Sequence, residues 1–143
     1  MIDSKLITRK IALITADLNE LRAIAGKSFN EYAASPRDEL VVERLLERVI
    51  GRMIDINYHL ITETGHHPPG DYYESFLRLA TLQALPADFA RRVAACAGLR
   101  NRLVHEYDDI DPQKVYEALQ AAVKDIPDYL RYIHHYVEKS SLT

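Results

Sequence analysis

The stretch Pro36–Thr64, PRDELVVERLLERVIGRMIDINYHLITET, decides the fold. Its apolar residues recur every three or four positions, which is typical of an amphipathic helix and not of a strand. Ser35 can cap this helix, and Pro36 suits its first position. The apolar stripe is broad enough to face two neighbours, or a core on one side and a partner on the other. It consists of Val42, Leu46, Val49, Met53, Ile56 and Leu60, widened by Leu45, Ile50, Ile54 and Ile61.

The same spacing predicts four further helices, so the whole chain should be an all-α protein. They run over about Ser4–Ala25, Asp71–Thr81, Pro86–Val104 and Pro112–Lys139. Turn residues between these segments keep the connections short. Five helices with short connections predict an antiparallel bundle, formed as a single domain over residues 1–143.

Single residues add detail to these helices. Asp111 should cap the last helix. Pro127 should kink it after Ile126, because proline cannot donate the internal hydrogen bond. The side chains expected to point inward from the short third helix are Tyr72, Phe76 and Leu79.

The composition fits such a domain and excludes several classes of protein. Of the 143 residues, 48% are hydrophobic and 27% charged, and the formal net charge is −3, so a broad basic surface for coating nucleic acid is not expected. Cys96 is the single cysteine, which excludes an intramolecular disulfide and fits the reducing cytoplasm. Charged residues interrupt the first 18 positions, and no apolar run is long enough for a bilayer, so neither a signal peptide nor a membrane span is predicted.

Charge is nonetheless concentrated in one segment. Between Phe89 and His105 there are four arginines and no acidic residue, and four acidic residues follow at once. The arginines are Arg91, Arg92, Arg100 and Arg102, and the acidic residues are Glu106, Asp108, Asp109 and Asp111. The string RNRLVHEY, residues 100–107, lies at the junction.

Helix geometry divides the polar residues of this junction between two faces. Asn101 and His105 share one face, while Arg100 and Tyr107 share another, about 140° from His105. Arg100 and His105 can meet only if the helix loosens near His105, if the arginine reaches around it, or if a second subunit supplies one of them.

These residue types suit a phosphodiester. Histidine moves protons near neutral pH, and arginine binds phosphate oxygens and stabilises the charge that develops on them. The ordinary alternative is a helix-terminal histidine favoured by the helix dipole, with arginine–carboxylate pairs across the helix end.

The string RNRLVHEY resembles the R-x4-H-x-Y motif of the HepT-like toxins, a branch of the HEPN superfamily of small helical ribonucleases. Other stretches resemble this family and occur in its order. They are MIDINYHLI at 53–61, PPGDYYESFLRL at 68–79, GLRNRLVHEYDDID at 98–111 and VYEAL at 115–119. The resemblance therefore extends over roughly residues 40–138, with no departure inside the motif.

The resemblance implies a homodimeric, all-helical, metal-independent endoribonuclease that needs no cofactor. It also implies a toxin that is neutralised by a neighbouring minimal nucleotidyltransferase antitoxin. On this basis Arg100 and His105 are expected to be catalytic, and Asn101 to support them. Tyr107 is expected to be the position where the antitoxin attaches AMP. The added negative charge and bulk would then repel the RNA phosphate and block the site.

One histidine per chain suits RNA cleavage poorly, because the reaction wants both a base and an acid. A two-fold dimer that brings two RNRLVHEY segments together would supply two His105 and two Arg100 side chains to one cleft. One histidine would deprotonate the ribose 2′-OH, the other would protonate the leaving oxygen, and the products would carry a 2′,3′-cyclic phosphate.

A second polar face lies on the helix Pro36–Thr64. It is formed by Arg44, Arg48, Arg52, Asp55 and His59, within a sector of about 80°. It is either a solvated face with local pairs such as Arg52 with Asp55, or a wall of the dimer cleft. In the second case Asp55 pairs with a site arginine or histidine, and Arg48 and Arg52, together with Arg102, guide RNA.

Two other functions remain open. The first is a non-catalytic HEPN module that binds a nucleotide or a nucleotidyltransferase, and the second is a purely structural helical dimer. The intact Arg100 and His105 pair favours catalysis over the first, and the uneven charge of residues 89–111 favours it over the second. No metal site is expected, because His66–His67 and His134–His135 diverge and lack a completing ligand.

Overall fold

The computed structural model describes residues 1–141, except for the side chain of Tyr107, and within them it contains helices and no strands. The all-α prediction is confirmed. The helices are α1 Ser4–Ala25, α2 Phe29–Ala33, α3 Pro36–Glu63, α4 Tyr72–Thr81, α5 Ala87–Val93, α6 Ala95–His105 and α7 Pro112–Ser141, with a 3-10 turn at Tyr107–Asp109. Among these described residues, no helix has the length and apolarity to cross a membrane.

Side-chain caps set the beginnings of the long helices. The Asp3 carboxylate accepts a hydrogen bond from the Leu6 backbone N–H (3.1 Å), and the Ser35 hydroxyl accepts one from Asp38 (3.2 Å). Asp111 accepts from the backbone N–H of Gln113 (3.0 Å) as α7 begins, as predicted. Each cap satisfies a backbone donor that the helix itself leaves without a partner.

Helix α3 is the centre of the bundle. All ten residues of its predicted stripe are buried, so the pattern of the decisive stretch is confirmed. Helix α1 crosses α3 in the antiparallel direction, because the Met1 ammonium binds Glu63 at one end and Asp17 binds Arg52 towards the other. The start of α7 lies at the end of α1, where Gln120 donates to the Ala25 carbonyl (2.8 Å).

A buried polar network joins three helices inside this apolar core. The Tyr129 hydroxyl of α7 donates to Asn57 Oδ1 of α3 (2.6 Å), and Asn57 Nδ2 donates to the Ser75 hydroxyl of α4 (3.1 Å). Burial raises the pKa of Tyr129, which keeps this donor protonated. Because a buried polar group is costly without its partner, the network fixes how α3, α4 and α7 fit together.

The helix predicted over Pro86–Val104 is wrong in one respect, since it is divided at Ala94 into α5 and α6. Ala94 donates to the Ala90 carbonyl, but its own carbonyl accepts from Ala97, three residues on. This tightened turn separates the two helices without proline or glycine at the turn, and Ala94 itself keeps a helical backbone conformation. The fully buried Ala94 has a side chain small enough to sit inside the core.

Three other details differ from or extend the predictions. The short helix α2 begins with a capping box between Ser28 and Glu31, which the periodicity did not indicate. Helix α7 continues through Pro127, and the kink stays a prediction. Phe76 and Leu79 are buried as predicted, but the prediction for Tyr72 is wrong because this residue is 38% exposed.

Candidate functional site

Arg100 lies in an open pocket of about 350 Å³ where α3, α4 and α6 meet. The pocket is lined by Gly51, Ile54, Asp55, Tyr58, Tyr72 and Arg100. Helix α6 places Arg100 there because Leu99 and Leu103, on its apolar side, are buried in the core and fix its rotation. The pocket therefore joins the arginine of RNRLVHEY to the helix that decides the fold.

The guanidinium group of Arg100 is held by contacts that involve no carboxylate of the described chain. Its central carbon lies over the Tyr72 ring, 5.4 Å from the centroid. A Cβ atom on Gly51 would lie 3.4 Å from Arg100 Nε, an ordinary contact distance, so a side chain longer than that of alanine would extend into the space of the guanidinium. Nε is buried and has no hydrogen-bond partner among the described residues. A cation that lacks an anionic partner at an open pocket is suited to binding an anion.

His105 lies on a different side of α6. The helix continues through His105 and ends at Glu106, whose N–H donates to the Arg102 carbonyl (2.9 Å). His105 and Asn101 are both exposed. Because the helix does not loosen before His105, Arg100 and His105 keep faces about 140° apart. Arg100 and His105 can therefore meet in two ways only. Either the long Arg100 side chain reaches around the helix, or a second subunit supplies one of the two residues.

Arg102 faces away from the Arg100 pocket. It lines a groove of about 520 Å³ between the α5–α6 segment and α7, together with Arg92, Lys114 and Lys124. Its guanidinium passes within 3.5 Å of where a Gly98 Cβ atom would lie. The two arginines of the motif therefore belong to two different surfaces.

The polar face of α3 is divided between α1 and the Arg100 pocket. Arg52 binds the carboxylate of Asp17 (2.8 Å), and Arg48 approaches the same carboxylate (3.3 Å). Asp17 is only 7% exposed, so α1 covers this part of the face. The predicted pair of Arg52 with Asp55 is therefore wrong.

Asp55 lines the Arg100 pocket, but it pairs with neither Arg100 nor His105 in the described chain. Its carboxylate accepts from the Lys10 ammonium of α1 (2.9 Å) instead. The neighbouring His59 accepts from the backbone N–H of Asp3 (2.9 Å) and so helps to hold the start of α1. Asp55 thus lines the pocket of Arg100, and its pairing with a site arginine or histidine across a dimer cleft stays a prediction.

Gly51, Tyr58 and Tyr72 are site residues that the sequence analysis missed. The rings of Tyr58 and Tyr72 meet edge to face, with centroids 6.1 Å apart. Burial, followed by the nearby Tyr72 and Asp71, raises the pKa of Tyr58, so its hydroxyl stays protonated. The sequence did contain one indication of this wall of the pocket. Gly51, Asp55 and Tyr58 are spaced four and three residues apart, which places all three on one face of α3.

Tyr107 begins the 3-10 turn one residue after α6 ends, and its side chain lies outside the described residues, so AMP attachment there stays a prediction. No group of three His, Cys, Asp or Glu side chains in the described chain is arranged to hold a metal ion. His134 contacts Glu138 (3.2 Å), a local pair on α7.

Comparison with known proteins identifies the family. Residues 14–133 match the family model described as ribonuclease HepT-like. A curated relative, the tRNA nuclease HepT of Aphanizomenon flos-aquae (strain 2012/KM1/D3), is 36% identical over 136 residues, which cover 95% of this chain and 92% of the relative.

Solved structures agree on the fold. The cytosolic protein of unknown function YutE from Bacillus subtilis superposes with a TM-score of 0.83 at 18% identity, covering 97% of this chain and 93% of that one. The tri-AMPylated HEPN toxin of Shewanella oneidensis, solved in complex with its MNT antitoxin, gives a TM-score of 0.81 at 22% identity, covering 91% and 97%. Together with the family model and the curated relative, this fold shows that the chain belongs to the ribonuclease HepT-like family.

Proposed function

We propose that this protein is an endoribonuclease toxin that acts on RNA in the cytoplasm, with tRNA as its first candidate substrate. One observation carries the proposal. The Arg100 guanidinium faces an open pocket with no carboxylate partner in the described chain, and the exposed His105 follows five residues later on α6. The 36% identity to a tRNA nuclease supports this chemistry and this substrate class.

The working unit is a homodimer. Cleavage needs a base at the ribose 2′-OH and an acid at the leaving 5′ oxygen, and each chain contributes one His105. Since α6 holds Arg100 and His105 on different faces, two antiparallel copies of α6 offer a direct way to bring an arginine and two histidines to one phosphate. An active monomer would contradict this arrangement.

The reaction then needs no metal. One His105 removes the 2′-OH proton, and the 2′ oxygen attacks phosphorus as the bond to the 5′ oxygen breaks. The other His105 protonates that oxygen, which gives a 2′,3′-cyclic phosphate and a 5′-hydroxyl end. Arg100 stabilises the negative charge on the phosphate oxygens in the transition state. Asn101 shares the His105 face, and we assign it to orienting the imidazole.

Regulation is assigned to a minimal nucleotidyltransferase antitoxin that transfers AMP to Tyr107. The Shewanella oneidensis toxin of the same fold is AMPylated in its antitoxin complex, which supports this assignment. Tyr107 lies two residues after His105, the last residue of α6. An attached AMP would add negative charge and bulk close to His105 in the chain, which would repel the RNA phosphate and block the cleft.

The remaining predicted residues receive different roles. Arg102 is exposed and carries no carboxylate partner in the described chain, so we assign it to the RNA backbone. Arg48 and Arg52 were predicted to contact RNA, but both engage the Asp17 carboxylate, so we assign them to holding α1 on α3 and not to the RNA. Asp55 is assigned to supporting the pocket wall through its pair with Lys10.

The test uses purified protein and total tRNA, with and without EDTA, followed by analysis of the fragment ends. Cleavage that survives EDTA, leaves cyclic phosphates and falls by at least about 100-fold in the Arg100→Ala and His105→Ala variants supports the proposal. Cleavage that needs a divalent metal, or that stays at the wild-type rate in both variants, contradicts it. Nucleotide or antitoxin binding with no cleavage would favour the non-catalytic module instead.

A further inference from the structure

Arg100 is held differently from the arginines that bind carboxylates elsewhere in the fold. Arg92, for example, lies over the Phe89 ring, 5.1 Å from its centroid, and also donates through Nε and Nη2 to both oxygens of Asp125 (3.3 Å each). Arg100 lies over the ring of Tyr72 but has no carboxylate partner in the described chain. An aromatic ring attracts the guanidinium charge without occupying its N–H groups as a carboxylate does. The terminal N–H donors of Arg100 are therefore available to an incoming anion.

Tyr72 is held in place through its backbone and through its ring. Asp71 caps α4 by accepting from the Glu74 N–H (2.7 Å), and the Ser75 hydroxyl donates to the Tyr72 carbonyl (2.6 Å). Ser75 is fully buried and bound to Asn57, so the backbone of Tyr72 is connected to the core network. On the other side the ring meets the edge of Tyr58. A partly exposed aromatic residue with this much support is suited to positioning another group.

The surroundings also keep competing groups away from Arg100. Asp55 is the one carboxylate lining the described pocket, and Lys10 engages it at 2.9 Å. Gly51 leaves the space that the guanidinium needs beside α3. Arg100 is thus restrained in position while its charge is not neutralised.

From this arrangement we infer that Tyr72 is a positioning residue, which holds the Arg100 guanidinium ready to bind the scissile phosphate before RNA arrives. The inference rests on the proposed ribonuclease function and deepens it. Preorganisation of this kind acts on the transition state, because no rotation of the arginine has to be restricted during the reaction.

The experiment compares Tyr72→Leu, Tyr72→Phe and, as a matched control on the same helix, Tyr73→Leu. Tyr73 is 50% exposed and lies outside the Arg100 pocket. In tRNA cleavage, kcat/KM should fall by about threefold to thirtyfold in Tyr72→Leu, the range expected for a lost cation–π contact. Phenylalanine keeps the ring and should restore most of this loss, whereas Tyr73→Leu should cleave like the wild type.

Two further readouts separate positioning from a general loss of structure. In the Arg100→Ala background, Tyr72→Leu should cause no additional loss of kcat/KM, because its effect passes through the arginine. In NMR spectra, the Nε–H resonance of Arg100 should shift in Tyr72→Leu and stay near its wild-type position in Tyr72→Phe. Thermal midpoints of all variants should remain close to that of the wild type.

The possible outcomes distinguish the two proposals. If the wild type cleaves tRNA but the leucine and phenylalanine variants behave alike, the positioning role is overturned and the nuclease stands. An additive loss in the Arg100→Ala background also overturns it. If the wild type cleaves no RNA, the nuclease proposal is overturned, and the role of Tyr72 in catalysis is overturned with it.

Discussion

On α3, Arg48 and Arg52 both bind the carboxylate of Asp17, which α1 brings to them. On α6, Arg100 and Arg102 have no carboxylate partner within the described residues, although α6 is followed by four acidic residues. All four arginines lay in the segments that the sequence marked as candidates for RNA binding. The two helices therefore use the same residue type for different purposes.

The difference shows what makes an arginine structural. Asp17 is almost completely buried, and a buried carboxylate is costly without a cation and hydrogen-bond donors beside it. Arg52 meets this requirement and so fixes α1 on α3. Arg100 neutralises no buried carboxylate in the described chain. Tyr72, whose ring packs against it, leaves its positive charge available to an anion.

The largest expected effect is on activity, from truncating the motif on α6. Arg100→Ala and His105→Ala should each lower kcat/KM for tRNA by at least about 100-fold, since each removes transition-state stabilisation or proton transfer. The thermal midpoint should hardly change for His105→Ala, because that side chain is exposed. Activity assays and melting curves on the same samples measure both quantities. If a variant has a lower thermal midpoint but cleaves tRNA normally, the substituted residue stabilises the fold, as we expect for Arg52, and does not take part in catalysis.

Truncating the α3 arginine should give the opposite result. Arg52→Ala removes the shortest donor to Asp17 and should lower the free energy of unfolding by about 1–3 kcal/mol. Below the melting transition, kcat/KM should be retained. Urea denaturation measures the stability difference.

Arg44→Ala is the matched control for this change. Its pair with Glu47 is exposed, so the free energy of unfolding should change by no more than about 0.5 kcal/mol. Equal effects of the two substitutions would show that the burial of Asp17 does not strengthen its ion pair.

The comparison also explains how far the sequence could predict this molecule. The stripe of α3, the bounds of α1 and the caps at Ser35 and Asp111 follow from local spacing and local chemistry, and the structure confirms them. The partner of Arg52 is 35 residues away in sequence, and periodicity gives no information on such a pair.

The site shows the same division between local and long-range information. Arg100 could be identified from its motif. Tyr72 was expected in the core because it shares a face with Phe76, but it lies in the first turn of α4, where the packed surface ends. The break at Ala94 has no local signal in the sequence, because alanine is the residue that most favours helix and neither proline nor glycine stands at the break.

A smaller effect is expected on RNA binding. In an inactive His105→Ala background, Arg102→Ala should weaken the affinity for single-stranded RNA a few-fold. It should also reduce the slope of log K against log salt by about 0.7, the value for one phosphate contact. Titrations at several salt concentrations measure this slope.

Arg48→Ala in the same background is the control from α3. Because Asp17 already engages Arg48, its slope should equal that of the parent. An equal reduction in both variants would mean that the α3 face also contacts RNA, as the sequence pattern allowed.

The smallest effect should come from Gly51→Ala, at the position where α3 approaches Arg100 of α6. Glycine inside a helix costs about 0.5–1 kcal/mol relative to alanine, so Gly51→Ala should raise the free energy of unfolding by up to that amount. The new Cβ atom would touch Arg100 Nε at 3.4 Å, an ordinary contact distance, whereas a leucine side chain would extend into the space of the guanidinium. Activity should therefore fall slightly with alanine and strongly with leucine.

Stability and activity should then change in opposite directions in Gly51→Ala, as expected where a residue is kept for function at some cost in stability. Urea denaturation and tRNA cleavage on the glycine, alanine and leucine forms give the two series. If cleavage is independent of side-chain size at position 51, the guanidinium does not act from the place where α3 and Tyr72 hold it. The arginines of α3 and α6 would then differ only in whether a carboxylate of the described chain binds them.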